Sequence, residues 1–254
     1  MRLVWILPII LIPPSEAPVT LPSHHSLSTD EATARLKDIR FRIETAAAKA
    51  GRQPDDIILL AVSKTFPSEM VVSFMAAGHM DFGESYIQEI RTKASELEEQ
   101  DLRPNWHFIG HLQTNKAKYA AALFHTIHSL DNLELAAELN RRAQALERTM
   151  AVYVQVNVSG ESSKSGMAPQ NLARFLDELA SFPALKPQGL MTMPPWNPNP
   201  ETARPHFAAL RELKERQAPH LPGLSMGMSD DMEVAIEEGA TIVRVGTALF
   251  GQRS

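Results

Sequence analysis

The chain has 254 residues, a net charge of −5, 44% hydrophobic residues and 22% charged residues. That composition suits an ordinary globular protein with room for one large domain. The lack of a long basic block argues against an electrostatic nucleic-acid binder. With no cysteine, disulfides, a thiol nucleophile and thiolate metal sites are excluded, and a cytoplasmic setting is expected.

The first stretch, MRLVWILPIILI, is apolar after one Arg and is broken by Pro13 and Pro14. It is too short to span a bilayer comfortably. It resembles the charged and apolar parts of a signal peptide, but SEAPVTLPSHHS is a poor cleavage region. The preferred reading is an extension upstream of the domain, with no membrane role. Residues 15–28, rich in Pro, Ser and His, read as a loose linker. The expected division is a poorly ordered extension over 1–28 and one domain over 29–254.

Ser28 and Glu31 form a capping box, and Leu36, Ile39, Ile43 and Ala47 follow at helical spacing until Gly51. The run IILLAVSKT, residues 57–65, reads as a buried parallel strand. Alternation along it predicts that Ile58, Leu60, Val62 and Lys64 share one face. Pro67 opens the next helix and Gly78 closes it. HMDFGES reads as a second strand, YIQEIRTKASELEEQ as a polar-faced helix, NWHFIGH as a third strand and TNKAKYAAAL as its helix. FHTIHSL is a fourth strand, followed by a helix opened by Asp131, and AVYVQVNV is a fifth. After the polar loop GESSKSGMA and the helix PQNLARFLDELA comes a sixth strand, PQGLMTM. A helix with Pro205 in its first turn, the strand GLSMGM, the helix SDDMEVAIEEG and the strand TIVRVG complete the series.

Eight strands alternating with helices imply parallel pairing through right-handed crossovers. Such units in about 225 residues suit a single (β/α)8 TIM barrel with an extra N-terminal helix. The rival, an open doubly wound sheet, lacks its Gly-rich dinucleotide turn after the first strand.

In such a barrel the site lies at the C-terminal ends of the strands. Lys64 closes the first strand there. Read alone, it is a strand-end lysine snorkelling to water; desolvated, it is an amine nucleophile toward carbonyls. At the seventh strand, SMGMS supplies Ser225, Met226, Gly227 and Ser229. Gly227 permits a close turn and Ser229 can cap the next helix. At the eighth, Gly246 and Thr247 follow Arg244. A phosphate site built after strands seven and eight recurs in this fold. Arg244, inward-facing, needs either an ion-pair partner or a ligand acceptor. An amine, a phosphate site and an arginine between them match pyridoxal 5'-phosphate (PLP).

Motifs across residues 30–251 then bear a family likeness: AVSKTFP, FGESYIQE, WHFIGHLQTNK, VQVNVSGESSKSG, GLMTM and LSMGMSDDMEVAIEEGATIVRVGTALFG. Together they resemble the pyridoxal phosphate homeostasis proteins. The resemblance implies a fold like the alanine racemase N-terminal domain, Lys64 as the Schiff-base residue, and phosphate contacts from the Ser225–Ser229 turn, Gly246 and Thr247. It places Arg244 near the ring nitrogen. Ser85 departs from the family, which usually has Asn there.

The expected function is intracellular PLP (vitamin B6) homeostasis. A monomer binds PLP and buffers or delivers it, transiently meeting apo PLP-dependent enzymes, without robust catalysis. The alternatives are a PLP-dependent racemase or related enzyme, and a Schiff-base aldolase on a sugar phosphate. His107 and His111 share a strand face but lack a third ligand, so no metal is expected. Lys164, in GESSKSG, reads as part of a solvated loop.

Overall fold

The computed structural model describes residues 27–161 and 164–252. The extension therefore falls outside the described residues, except for its last two positions.

Eight parallel strands close into a barrel in chain order. They are β1 (Ile58–Val62), β2 (Asp81–Glu84), β3 (Asn105–Phe108), β4 (Thr126–Leu130), β5 (Met150–Gln155), β6 (Leu185–Met191), β7 (Gly223–Met228) and β8 (Ile242–Val245). β1 pairs with both β2 and β8, which removes the sheet edges. Along β1, Leu59 and Ala61 belong to the layer between strands and helices. Leu60 and Val62 join Ile109, Tyr153, Met191 and Ile242 in the barrel interior. The alternation read from the sequence thus separates two cores, one on each face of the sheet.

The leading helix α1 (Thr29–Lys49) begins as expected. Ser28 Oγ accepts the Glu31 N–H at 3.2 Å, and Glu31 Oε2 accepts the Ser28 N–H at 2.9 Å. Leu36, Ile39, Ile43 and Ala47 are all buried. Helices α2 (Ser68–Ala76), α3 (Ile87–Glu98), α4 (Ala117–Leu123), α5 (Leu133–Ala145), α6 (Leu172–Leu179), α7 (Arg204–Gln217) and α8 (Met232–Glu237) connect successive strands, and α9 (Thr247–Phe250) follows β8.

Three local expectations fail for identifiable reasons. α5 is capped by Asn132, not Asp131, because Asn132 Oδ1 accepts the Leu135 N–H at 2.8 Å. Ser229 does not cap α8; its Oγ accepts the Gly246 N–H at 3.3 Å instead, and Asp231 takes the cap position. β1 ends at Val62, so strand alternation does not extend to Lys64. The chain turns there, with the Phe66 N–H bonded to the Ser63 carbonyl at 3.1 Å and Thr65 at φ 70.

Candidate functional site

Two adjoining strand ends build one side of the barrel mouth. Leu60 lies beside Arg244 and Ala61 beside Val245 in the β1–β8 register. Gly246 is consequently next to Val62: a Cβ added to it would lie 3.5 Å from the Val62 Cβ. The half-buried Lys64 leaves its turn two residues beyond Val62. Phe66, just past the turn, stacks on Phe250 of α9 with ring centroids 5.2 Å apart, tying the turn to the Gly246–Thr247 corner.

β7 reaches the same corner through a distorted end. The register against β8 shifts between Ser225 and Met228. Gly227 absorbs the shift at φ 91, and a Cβ there would fall 2.5 Å from the Ala235 Cβ of α8. Both the left-handed backbone and the close approach of α8 demand glycine. The turn is then fixed from outside the barrel. Arg42 of α1 donates to the Ser229 carbonyl at 3.0 Å and to Glu233 Oε1 at 2.7 Å. Asp231 Oδ1 accepts the Met228 N–H at 2.6 Å, and burial raises the Asp231 pKa.

Arg244 lies beneath the mouth, 3% exposed. One guanidinium nitrogen donates to Ser225 Oγ at 2.8 Å and the other to the Thr192 carbonyl at 2.9 Å. Burial pulls its pKa down to about 10, which still leaves it cationic at neutral pH. Ser225 is itself the end of a polar column through the barrel. His128 Nδ1 lies 2.8 Å from Ser225 Oγ, and His128 Nε2 lies 3.0 Å from His107 Nδ1. His107 Nε2 faces Asp81 Oδ1 at 3.5 Å. Desolvation holds the His128 pKa well below the usual histidine value, with the charges of His107 and Arg244 adding to it, so the ring is neutral. Arginine can only donate, so Ser225 Oγ accepts from it. From Ser225 the polar contacts continue through His128 and His107 to Asp81. This column holds the guanidinium in one orientation.

Of the residues singled out from sequence, Lys64, Gly227, Ser229, Arg244, Gly246 and Thr247 gather around this side of the mouth. Ser225 reaches the region through Arg244, its side chain wholly buried. Met226 packs its side chain into the outer layer, leaving its main chain toward the turn. His111 is exposed, away from the buried His107. Among the described residues no group of three or more His, Cys, Asp or Glu could hold a metal. Lys164 belongs to the loop after β5, where its carbonyl accepts from Asn157 at 3.3 Å.

The unforeseen feature is a buried ionic trio behind the Lys64 turn. Lys93 of α3, a helix expected to be polar-faced, is 0% exposed. Its Nζ donates to Glu84 Oε1 at 2.7 Å, to Glu89 Oε1 at 2.5 Å and to the Ser63 carbonyl at 2.7 Å. A signal existed: Lys93 stands three residues after Ile90 and four before Leu97, on the apolar stripe of its helix. Burial pushes the Glu84 carboxyl up to about 7; Lys93 opposes that shift and Glu89 adds to it. Its second oxygen, Oε2, has no hydrogen-bond partner, as suits a carboxyl that keeps its proton readily.

A folded-state carboxyl pKa raised from 4.5 to about 7 stabilises the protein fully below pH 4.5. That contribution is lost as the pH rises through about 7. Glu84→Gln is therefore expected to lose less melting temperature than wild type between pH 4.5 and 8. Parallel melting-temperature curves across that range would contradict the assignment.

Residues 35–254 match the family described as alanine racemase, N-terminal domain. The pyridoxal phosphate homeostasis protein of Aquifex aeolicus is 47% identical over 226 residues, covering 87% of this chain and 98% of that protein. Its counterpart in Pseudomonas aeruginosa is 50% identical over 220 residues, covering 86% and 94%. The structure of PipY from Synechococcus elongatus with PLP bound superposes with a TM-score of 0.74 at 36% identity, covering 87% of this chain and all (100%) of that one. An alanine racemase of Clostridium difficile shares the fold, with a TM-score of 0.68 at 15% identity, covering 88% of this chain and 57% of that chain.

Proposed function

The chain belongs to the pyridoxal phosphate homeostasis proteins, within the alanine racemase N-terminal-domain family, and from that premise we propose that it binds PLP, holds it covalently through the Lys64 amine, and buffers it or passes it to apo-enzymes. The observation that supports this most is the grouping of Lys64, Ser229, Gly246 and Thr247 at one corner of the mouth, over a fixed Arg244. The donor set fits the group: an amine, a guanidinium, two hydroxyls and a glycine-lined turn would hold it. The nearby acid, Asp231, has its carboxylate turned to the Met228 N–H.

Bound there, PLP supplies an aldehyde that condenses with a primary amine, releasing water, and a phosphate that seeks N–H and O–H donors. Lys64 provides the amine. Ser229, Thr247 and the main chain at Gly227 would provide phosphate donors, with the main chain of Met226 leading into the turn and Gly246, its N–H held by Ser229 Oγ, bringing the β8 corner close. Ser225 orients Arg244, which would offer a hydrogen bond to the ring nitrogen. Arg244 keeps its own proton at neutral pH, since its pKa stays at about 10. It therefore donates a hydrogen bond without protonating the ring, which favours holding the cofactor over turnover.

The rival reading, a racemase, is tested with the loaded protein and alanine. The carrier reading expects no D/L interconversion or Cα deuterium exchange at ordinary enzyme rates of about 1–10³ s⁻¹. Interconversion at such rates, lost in Lys64→Ala, would make the protein an enzyme.

A further inference from the structure

The ionic trio grips the two residues on either side of Lys64. Lys93 Nζ donates to the Ser63 carbonyl at 2.7 Å. Glu84 Oε1 accepts the Ser63 hydroxyl proton at 2.7 Å. Glu89 Oε1 accepts the Thr65 N–H. The turn so held is an uncommon one: Thr65, a β-branched residue, has φ 70. Such a conformation persists only where the surroundings over-determine it. Removing three charges from water is costly, and an apolar contact between α3 and β2 would join those elements as well. A staple alone does not account for bonds that converge on the residues flanking one lysine.

We propose that Lys93, Glu84 and Glu89 are positioning residues for Lys64, fixing through Ser63 and Thr65 the direction in which its amine enters the mouth. The proposal rests on the reading of Lys64 as the attachment residue. None of the three touches the cofactor on this account. Loss of either glutamate leaves Lys93 one partner, and Glu89 is the one that bonds the main chain of the turn. Its Oε1 is the acceptor of the Thr65 N–H.

The test uses purified full-length protein stripped of cofactor, mixed with PLP. The rate of appearance of the visible band and the melting temperature before mixing are followed for wild type, Glu89→Leu, Glu89→Gln and Lys64→Ala. Glu89→Leu is expected to fold and to attach PLP about 10- to 100-fold more slowly, the scale of a misplaced reacting group. Glu89→Gln keeps an acceptor oxygen for Thr65 and is expected to restore most of the rate. Attachment by Glu89→Leu at the wild-type rate would overturn the proposal. So would equal slowing in Glu89→Gln and Glu89→Leu, which would assign the effect to charge instead of grip. A band retained in Lys64→Ala would instead remove the attachment reading itself. If Glu89→Leu does not fold, Ser63→Ala carries the comparison. Slower attachment at an unchanged melting temperature supports the grip, and a wild-type rate overturns it.

Discussion

Lys64→Ala is expected to abolish the visible absorption of the PLP-loaded protein while leaving the fold intact. The absorption comes with covalent attachment, and attachment needs an amine at the mouth. The substitution removes that amine and leaves Ser63 and Thr65, which the trio holds, in the sequence. The ionic trio bonds to the turn through Ser63 and Thr65. The β1–β8 register and the Phe66–Phe250 stack are formed by other residues. The phosphate donors remain, so some non-covalent retention of PLP is expected, with an absorption spectrum like that of the free aldehyde. Absorption spectroscopy and circular dichroism on the same sample check both halves of this expectation. An unchanged visible band would move the attachment to another lysine, with Lys164 the first to examine.

Lys93→Met is expected to give the largest loss of stability, about 3–5 kcal/mol, the usual cost of removing one partner from a buried ion pair. Methionine is unbranched and one atom shorter than lysine, and brings no charge. Glu84 and Glu89 would then face each other in the interior with no cation, and the Ser63 carbonyl would lose its donor. For a chain of this size each kcal/mol shifts the melting temperature by about 2–4 °C, so a drop of roughly 6–20 °C is expected. Adding Glu84→Gln and Glu89→Gln to Lys93→Met removes the stranded carboxylates and should recover much of the loss. A melting temperature for Lys93→Met within a degree or two of wild type would mean that the trio carries little folding energy.

The barrel was legible in the sequence because its signals are local. Ser28 with Glu31, the apolar run of β1, the glycine at 227 and the proline early in α7 each declare themselves within a few residues. The corner formed by Ser229, Gly246 and Thr247 was also legible, since it follows once two strand ends are placed side by side. What escaped depends on partners distant in the chain. Lys93 drew no reading of its own within a helix expected to be polar-faced; its burial is decided by Glu84 on β2 and Ser63 beyond β1. Ser225 looked like a free phosphate ligand, yet its hydroxyl is shared between Arg244 and His128, the latter 97 residues away. His128 was passed over as one polar residue inside a buried strand. Strand alternation was also extended too far: β1 ends at Val62, and Lys64 sits in a turn whose neighbours Ser63 and Thr65 are bonded to the trio.

The most direct test of the central claim is to reduce the PLP-loaded wild-type protein with borohydride, digest it and locate the modified lysine by mass spectrometry. Covalent holding through Lys64 predicts one dominant adduct, on the peptide carrying AVSKTFP, at close to one per chain. A dominant adduct on Lys164 or any other lysine, or an unmodified Lys64 peptide in a fully loaded sample, would contradict it.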